Sequence, residues 1–232
     1  MKNLQSIVAG IEKELDEKDK VREDALRSSR ELVRLSKDII GAMNRHEDPR
    51  PLLAKMKKDA AALKARASRC PEIYAAGYVE GALAEVVEIC VLYAIVNKMP
   101  LPTPRELCAT PEAYLLGLGD VIGELRRLAV DALREMHPEQ AEARLFEMET
   151  IYEALMRFDY PDAVVPLRKK QDVARGLVER TRGEVLVARS EKALKDKLDR
   201  VAAHLDRVQG GGQGGGGQQG QQRHGGRDRG RR

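Results

Sequence analysis

Aromatic side chains are nearly missing from this sequence: 232 residues include no tryptophan, two phenylalanines and six tyrosines. Any core must therefore be filled by Leu, Val, Ile, Ala and Met. Period-2 runs bounded by hairpin turns are also absent, while Ala, Leu, Glu, Lys and Arg are abundant, which favours an all-α fold. The cysteines Cys70, Cys90 and Cys108 are odd in number and widely spaced. They match neither a zinc pattern nor a disulfide framework, which points to a reducing compartment. The histidines His46, His137, His204 and His224 supply no Glu-x-x-His motif for a di-iron bundle. His46 and His137 fall at helix ends in polar loops, which speaks against Ser-His-Asp and Cys-His sites. No apolar run reaches membrane-spanning length, and the N-terminus "MKNLQSIVAG" lacks the apolar core of a signal peptide. The expectation is a soluble, cytoplasmic protein with no membrane partner.

Charge is unevenly placed. From Gln209 to Arg232 the chain reads "QGGGQGGGGQQGQQRHGGRDRGRR", with five arginines against one aspartate and eleven of the 20 glycines. This tail accounts for the whole formal charge of +4, so residues 1–208 sum to zero. Such a segment buries too little apolar surface to offset its ordering entropy and is expected to be disordered. It reads either as a loose Arg/Gly-type RNA-binding arm or as a solubilising appendage. The chain thus divides into a helical domain, 1–208, and a Gly/Gln/Arg-rich tail, 209–232.

Punctuation divides the domain into helices. The first runs from about Leu4 to His46, with Leu4, Ile7, Val8, Ile11 and Leu15 on one stripe, continued by Leu26, Leu32, Val33, Ile39, Ile40 and Met43. "HEDPRP" ends it, and a shorter helix covers Leu52 to Ala67. Pro71 opens a third, whose apolar run ends at "NKMPLPTP". Thr110-Pro111-Glu112 is an N-cap followed by proline at the first helical position, starting a fourth helix toward Met136. A fifth spans Glu139 to Phe158, and a charged sixth runs from Leu167 to Leu205. The lengths of the first and last exceed what a compact domain needs and suggest oligomer contacts.

The third and fourth helices carry acids in apolar surroundings. "LAEVVEICVLYAI" (83–95) holds Glu85 and Glu88, and no lysine or arginine lies between Cys70 and Lys98. "YLLGLGDVIGEL" holds Asp120 and Glu124, and from Pro71 to Leu125 the only basic residues are Lys98 and Arg105. At about 100° per residue each pair shares a helix face. Gly77 and Gly81 lie on the Glu85 stripe, and Gly119 and Gly123 precede the other acids; small residues at this spacing let backbones approach. If the two helices pack through these faces, four carboxylates converge. Repulsion and desolvation then call for a divalent cation, and oxygen-only ligands select magnesium, manganese or calcium. The competing reading is four solvated acids that never meet, against which stand Val86, Val87, Ile89, Cys90, Val91 and Leu92.

Together with "PLPTPREL" and "AYLLGLGDVIGELRRLAVDAL", this segment resembles the translin superfamily. It is closer to the translin-associated factor X branch than to translin itself, in the manner of a prokaryotic or archaeal single-subunit homologue. "RELVRLSKDII" and "PLRKKQDVARGLVERTRGEV" fit the same family, so the resemblance runs from Leu4 to Leu194. It implies an up-and-down, seven-helix-class bundle that assembles into a closed octameric shell. It also implies a magnesium-dependent endoribonuclease site on an inner surface. The family's four acids, both catalytic and metal-holding, map onto Glu85, Glu88, Asp120 and Glu124, with Mg2+ or Mn2+ as the cofactor. The eukaryotic nuclease mixes two kinds of subunit, whereas a single chain type implies a homo-octamer.

The implied substrate is single-stranded RNA, with single-stranded DNA a second possible ligand. Arg30, Arg34 and Lys37 lie near one face of the first helix, and Arg126 and Arg127 follow the acids. Each is a candidate RNA contact, set against a solvated or ion-paired role. With no aromatic platform beside them, recognition would be of the backbone and weakly sequence-specific. Two rivals stay open: a non-catalytic single-stranded nucleic-acid-binding shell, and a magnesium-dependent all-α nucleotide pyrophosphohydrolase. One expectation concerns the tail. Deleting Gln209–Arg232 should leave fold and assembly intact but weaken RNA binding at low salt, so a salt titration unchanged by the truncation would refute the arm.

Overall fold

A computed structural model describes residues 3–210. The expectation of a disordered tail falls almost wholly on 211–232, outside the described residues. Seven helices and no strand occur among the described residues: α1 Leu4–Asn44, α2 Arg50–Ala67, α3 Pro71–Tyr74, α4 Gly77–Val96, α5 Pro111–Arg134, α6 Pro138–Leu155 and α7 Arg168–Gly210. None of these helices is long and apolar enough to cross a membrane. The chain forms two units, one ending at Ala188 and one beginning at Arg189 within α7.

In the first unit α4 is the central element. Val79, Leu83, Val86, Val87, Val91 and Leu92 are all buried, so apolar residues point in every direction around the axis. Helix α1 packs against α4 along one side and α5 along another; α2 lies on α1, and α6 on α5. The start of α7 adds Ala174, Val178 and Val185 to the same core. Pro111 stands at the first position of α5, and the Thr110 hydroxyl accepts from the Ala113 amide at 3.0 Å, forming the expected N-cap.

One boundary departs from the sequence reading. The expected single helix from Pro71 is broken at Ala76, whose extended backbone (φ −71°, ψ 138°) separates α3 from α4. On one continuous helix Ile73 and Val79 would lie roughly 120° apart; the break lets both be buried. The stripe Leu4, Ile7, Val8, Ile11 and Leu15 stays outside the core of this protomer: all five are exposed. In the second unit Leu194, Leu198, Val201 and Leu205 form a similar exposed row along α7.

The helix ends were set without glycine. His46, Lys98 and Met136 adopt left-handed backbone just beyond α1, α4 and α5. Each is followed by an amide that returns to the helix: Glu47 to the Ala42 carbonyl, Met99 to Ala94 and His137 to Ala132, at 2.8–2.9 Å. These bonds satisfy carbonyls that the helix ends leave open and offset the left-handed cost.

Only one glycine brings α4 and α5 together. A Cβ on Gly117 would lie 2.6 Å from the Ala84 carbonyl oxygen and 2.7 Å from Val87 Cβ, whereas Gly77, Gly81 and Gly123 have open space there. The close-approach role expected of those three glycines therefore belongs to Gly117. Gly117→Ala should destabilise the fold by about 1–3 kcal/mol through overpacking. Gly123→Ala, unhindered, should stabilise it by about 0.5–1 kcal/mol. Denaturant unfolding that moved both variants in the same direction would contradict this packing.

Candidate active site

Helix α4 brings Glu85 and Glu88 to the side facing α1 and α5, and α5 brings Asp120 and Glu124 to the same region. Glu88 shows that the four acids share one field. Burial first, and then the charges of Glu85, Asp120 and Glu124, push its carboxyl up from 4.5 to about 8. Glu88 thus holds a proton at neutral pH.

The other three acids are held one by one. The Ser36 hydroxyl, buried on α1, donates to Glu85 Oε2 at 2.7 Å and lies 2.8 Å from the Val33 carbonyl oxygen. Lys170 at the start of α7 forms an ion pair with Asp120 Oδ1, and its charge also draws the Glu88 carboxyl down. Arg127 binds Glu124 Oε2 through Nη2 at 2.7 Å and Nε at 3.0 Å, and reaches Asn44 at 3.2 Å. The base-free stretch in sequence is therefore not base-free in space.

Among the described residues no three His, Cys, Asp or Glu side chains are arranged as a metal cage. The chemistry of the site nevertheless suits a hard cation. Its donors are all carboxylate oxygens, Glu88 carries a strongly raised proton affinity, and an ammonium already sits against Asp120 where positive charge is required. Glu85, Glu88, Asp120 and Glu124 fit the group by charge and donor type.

The basic candidates divide. Arg30, Arg34 and Lys37 are exposed on α1. Arg126 is turned inside the protomer, to Thr181 Oγ1 at 2.6 Å and Glu184 at 2.9 and 3.1 Å, fastening α5 to α7. Arg127 is occupied by Glu124. The ion-paired reading therefore describes these two better than that of free phosphate contacts.

A groove of about 570 Å³ between α1 and α4 leads to Glu85 and is also lined by Ser29, Arg30, Tyr78 and Gly81. The Ser29 and Tyr78 hydroxyls are buried there, with no hydrogen-bond partner among the described residues. Sequence reasoning missed Ser36, Ser29, Tyr78 and Lys170. A serine on a buried helical position could have raised Ser36, but nothing in local spacing links Lys170 to Asp120, fifty residues away.

Comparison with known proteins identifies relatives of this sequence and fold. The Translin family model matches residues 20–185. An uncharacterised protein of Methanocaldococcus jannaschii is 35% identical over 192 residues, covering 82% of this chain and 86% of that one. The crystal structure of AfC3PO has 34% identity and a TM-score of 0.72, covering 80% of this chain and 98% of that chain. A structure of an AfC3PO–duplex RNA complex has 32% identity and a TM-score of 0.67 over the same shares. Apo-NeC3PO, at 21% identity and a TM-score of 0.70 over 78% and 96%, shares the fold.

The proton on Glu88 generates a prediction. Its folded-state value of about 8 lies above the ordinary 4.5, so its contribution to stability is complete below 4.5 and is lost as pH rises through about 8. In chelator, the melting temperature should fall between pH 5 and 9. Glu88→Gln should flatten that fall, and an equally steep decline in the variant would contradict the shared field.

Proposed function

The chain belongs to the translin family, and from that premise we propose that it is a magnesium-dependent endoribonuclease of the factor X branch. In this reading it cuts single-stranded RNA within a closed homo-octameric shell. The observation that carries the proposal is the set of four acids in one field: Glu88 is pushed up first by burial and then by the charges of Glu85, Asp120 and Glu124. Structural similarity to a protein solved with duplex RNA supports RNA as the ligand. The exposed apolar rows on α1 and α7 support assembly of like subunits, because such surface is costly when left in water.

Glu85, Glu88, Asp120 and Glu124 would hold the magnesium. When bound, that ion neutralises charge building on the phosphate and makes water a better nucleophile near neutral pH. The chain's own residues set the geometry. Ser36 fixes the orientation of Glu85 from the buried face of α1, and Arg127 does the same for Glu124. Glu88 would enter the ligand set as a carboxylate, because a cation there offsets the burial and the neighbouring charges that raise its proton affinity. Arg30 shares the groove that ends at Glu85, so an RNA phosphate attracted to Arg30 lies on the path to the acids. Arg34 and Lys37 extend the positive charge along α1 and give backbone contacts with little sequence preference.

A second reading draws on a specific observation. Asp120 and Glu124 are both ion-paired, and a protein that only binds RNA could retain these acids for structure alone. One variant separates the two. Asp120→Asn keeps the shape and one oxygen but removes the charge. It should abolish cleavage of labelled single-stranded RNA in magnesium while leaving helical content and oligomer size unchanged. Retained cleavage in the variant would sink the catalytic assignment. A parent protein that binds RNA in magnesium and never cuts it would establish the binding-only reading instead.

A further inference from the structure

Lys170 reaches the acids along a built track. Its stem lies against Gly119: a Cβ there would stand 3.1 Å from Lys170 Cβ, 3.4 Å from Cδ and 3.5 Å from Cγ. As Gly117 leaves room for α4, Gly119 leaves room for a residue of α7. The track leads to the neighbouring Asp120, whose Oδ1 receives the ammonium. Both side chains remain about one-third exposed, at 35% and 36%. An ion pair in such contact with water is weak and opens readily. A lysine head on four methylenes can also swing without moving the backbone.

The groups facing this ammonium are acids of the same cluster, Asp120 directly and Glu88 through its field. A divalent cation drawn to Asp120 would meet a positive charge already in place, and the two cannot occupy one carboxylate oxygen together. Resting on the metal-dependent reading above, we propose that Lys170 is a positioning residue: it is the resident counter-ion of Asp120 and yields that oxygen to an entering divalent cation. The site is thereby kept neutralised before metal arrives. Metal occupancy also becomes coupled to the appearance of a free ammonium beside the acids. The metal affinity of the parent protein is accordingly lower than the four carboxylates alone would provide.

The test is calorimetric titration of the full-length protein with Mn2+ alone. Lys170→Met should bind Mn2+ roughly fivefold more tightly than the parent, as expected for release of a partly exposed ion pair. Lys169→Met, an exposed neighbour outside the track, should leave Mn2+ affinity at the parent value. A merely structural lysine gives the opposite sign, because loss of order at the site weakens metal binding. Equal or weaker Mn2+ binding by Lys170→Met, or no uptake by either protein, overturns the proposal. Should Lys170→Met not fold, Lys170→Gln keeps the stem against Gly119, removes the charge and should tighten Mn2+ in the same direction; unchanged affinity there overturns the proposal as well. The nuclease reading fails separately. If Lys170→Met tightens Mn2+ binding while neither protein cleaves RNA, the counter-ion role stands without the nuclease. Cleavage by the parent with unchanged Mn2+ affinity in the variant leaves the nuclease without the counter-ion role.

Discussion

Two carboxylates on the most deeply buried helix are the constraint around which this protomer is organised. Helix α4 is apolar in nearly every direction, and Glu85 and Glu88 stand half-buried on it rather than on a fully solvated face. A carboxylate so placed is favoured by a proton or a partner, because burial penalises its charged form. The protein uses both routes. Glu88 keeps its proton, and Glu85 takes the Ser36 hydroxyl from α1.

That constraint extends to the neighbouring helices. Helix α5 adds two more acids to the same field, and cations are brought in from beyond the base-free stretch: Arg127 from one turn further along α5, and Lys170 from α7. The packing that allows this is specific. Gly117 lets α5 close on the backbone of α4, and Gly119 lets the lysine stem of α7 close on α5. Arg126, joined to Thr181 and Glu184, holds α7 in the place from which Lys170 can act. An acid-rich site in a small helical protein is thus supported by two glycines and two arginines whose contribution is geometric.

The long helices answer to a different demand. Apolar residues at the start of α1 recur with helical spacing, yet they stay exposed, and so does the row from Leu194 to Leu205. Helical periodicity reports that one face is apolar; it does not report which surface will cover it. For the middle of α1 the cover is α2 and α4 of the same chain. For its first four turns no cover is found among the described residues, which is consistent with a protomer built to associate.

The sequence by itself determined the helical class, most helix boundaries, the N-cap at Thr110 and the pairing of acids on two apolar helices. These follow from short-range physics: propensity, capping and a period of about 3.6 residues act within a few turns of the chain. The acids stood out because their apolar, base-free neighbourhood is itself a local pattern. What only the tertiary structure decided was who neutralises them. Charge acts through space, and Ser36 and Lys170 lie 49 and 50 residues from their partners, so no window on the chain contains both members of either pair. The glycines show the same division. Four-residue spacing singled out Gly77, Gly81, Gly119 and Gly123, but close approach depends on what arrives from another helix, and that placed the α4–α5 contact at Gly117.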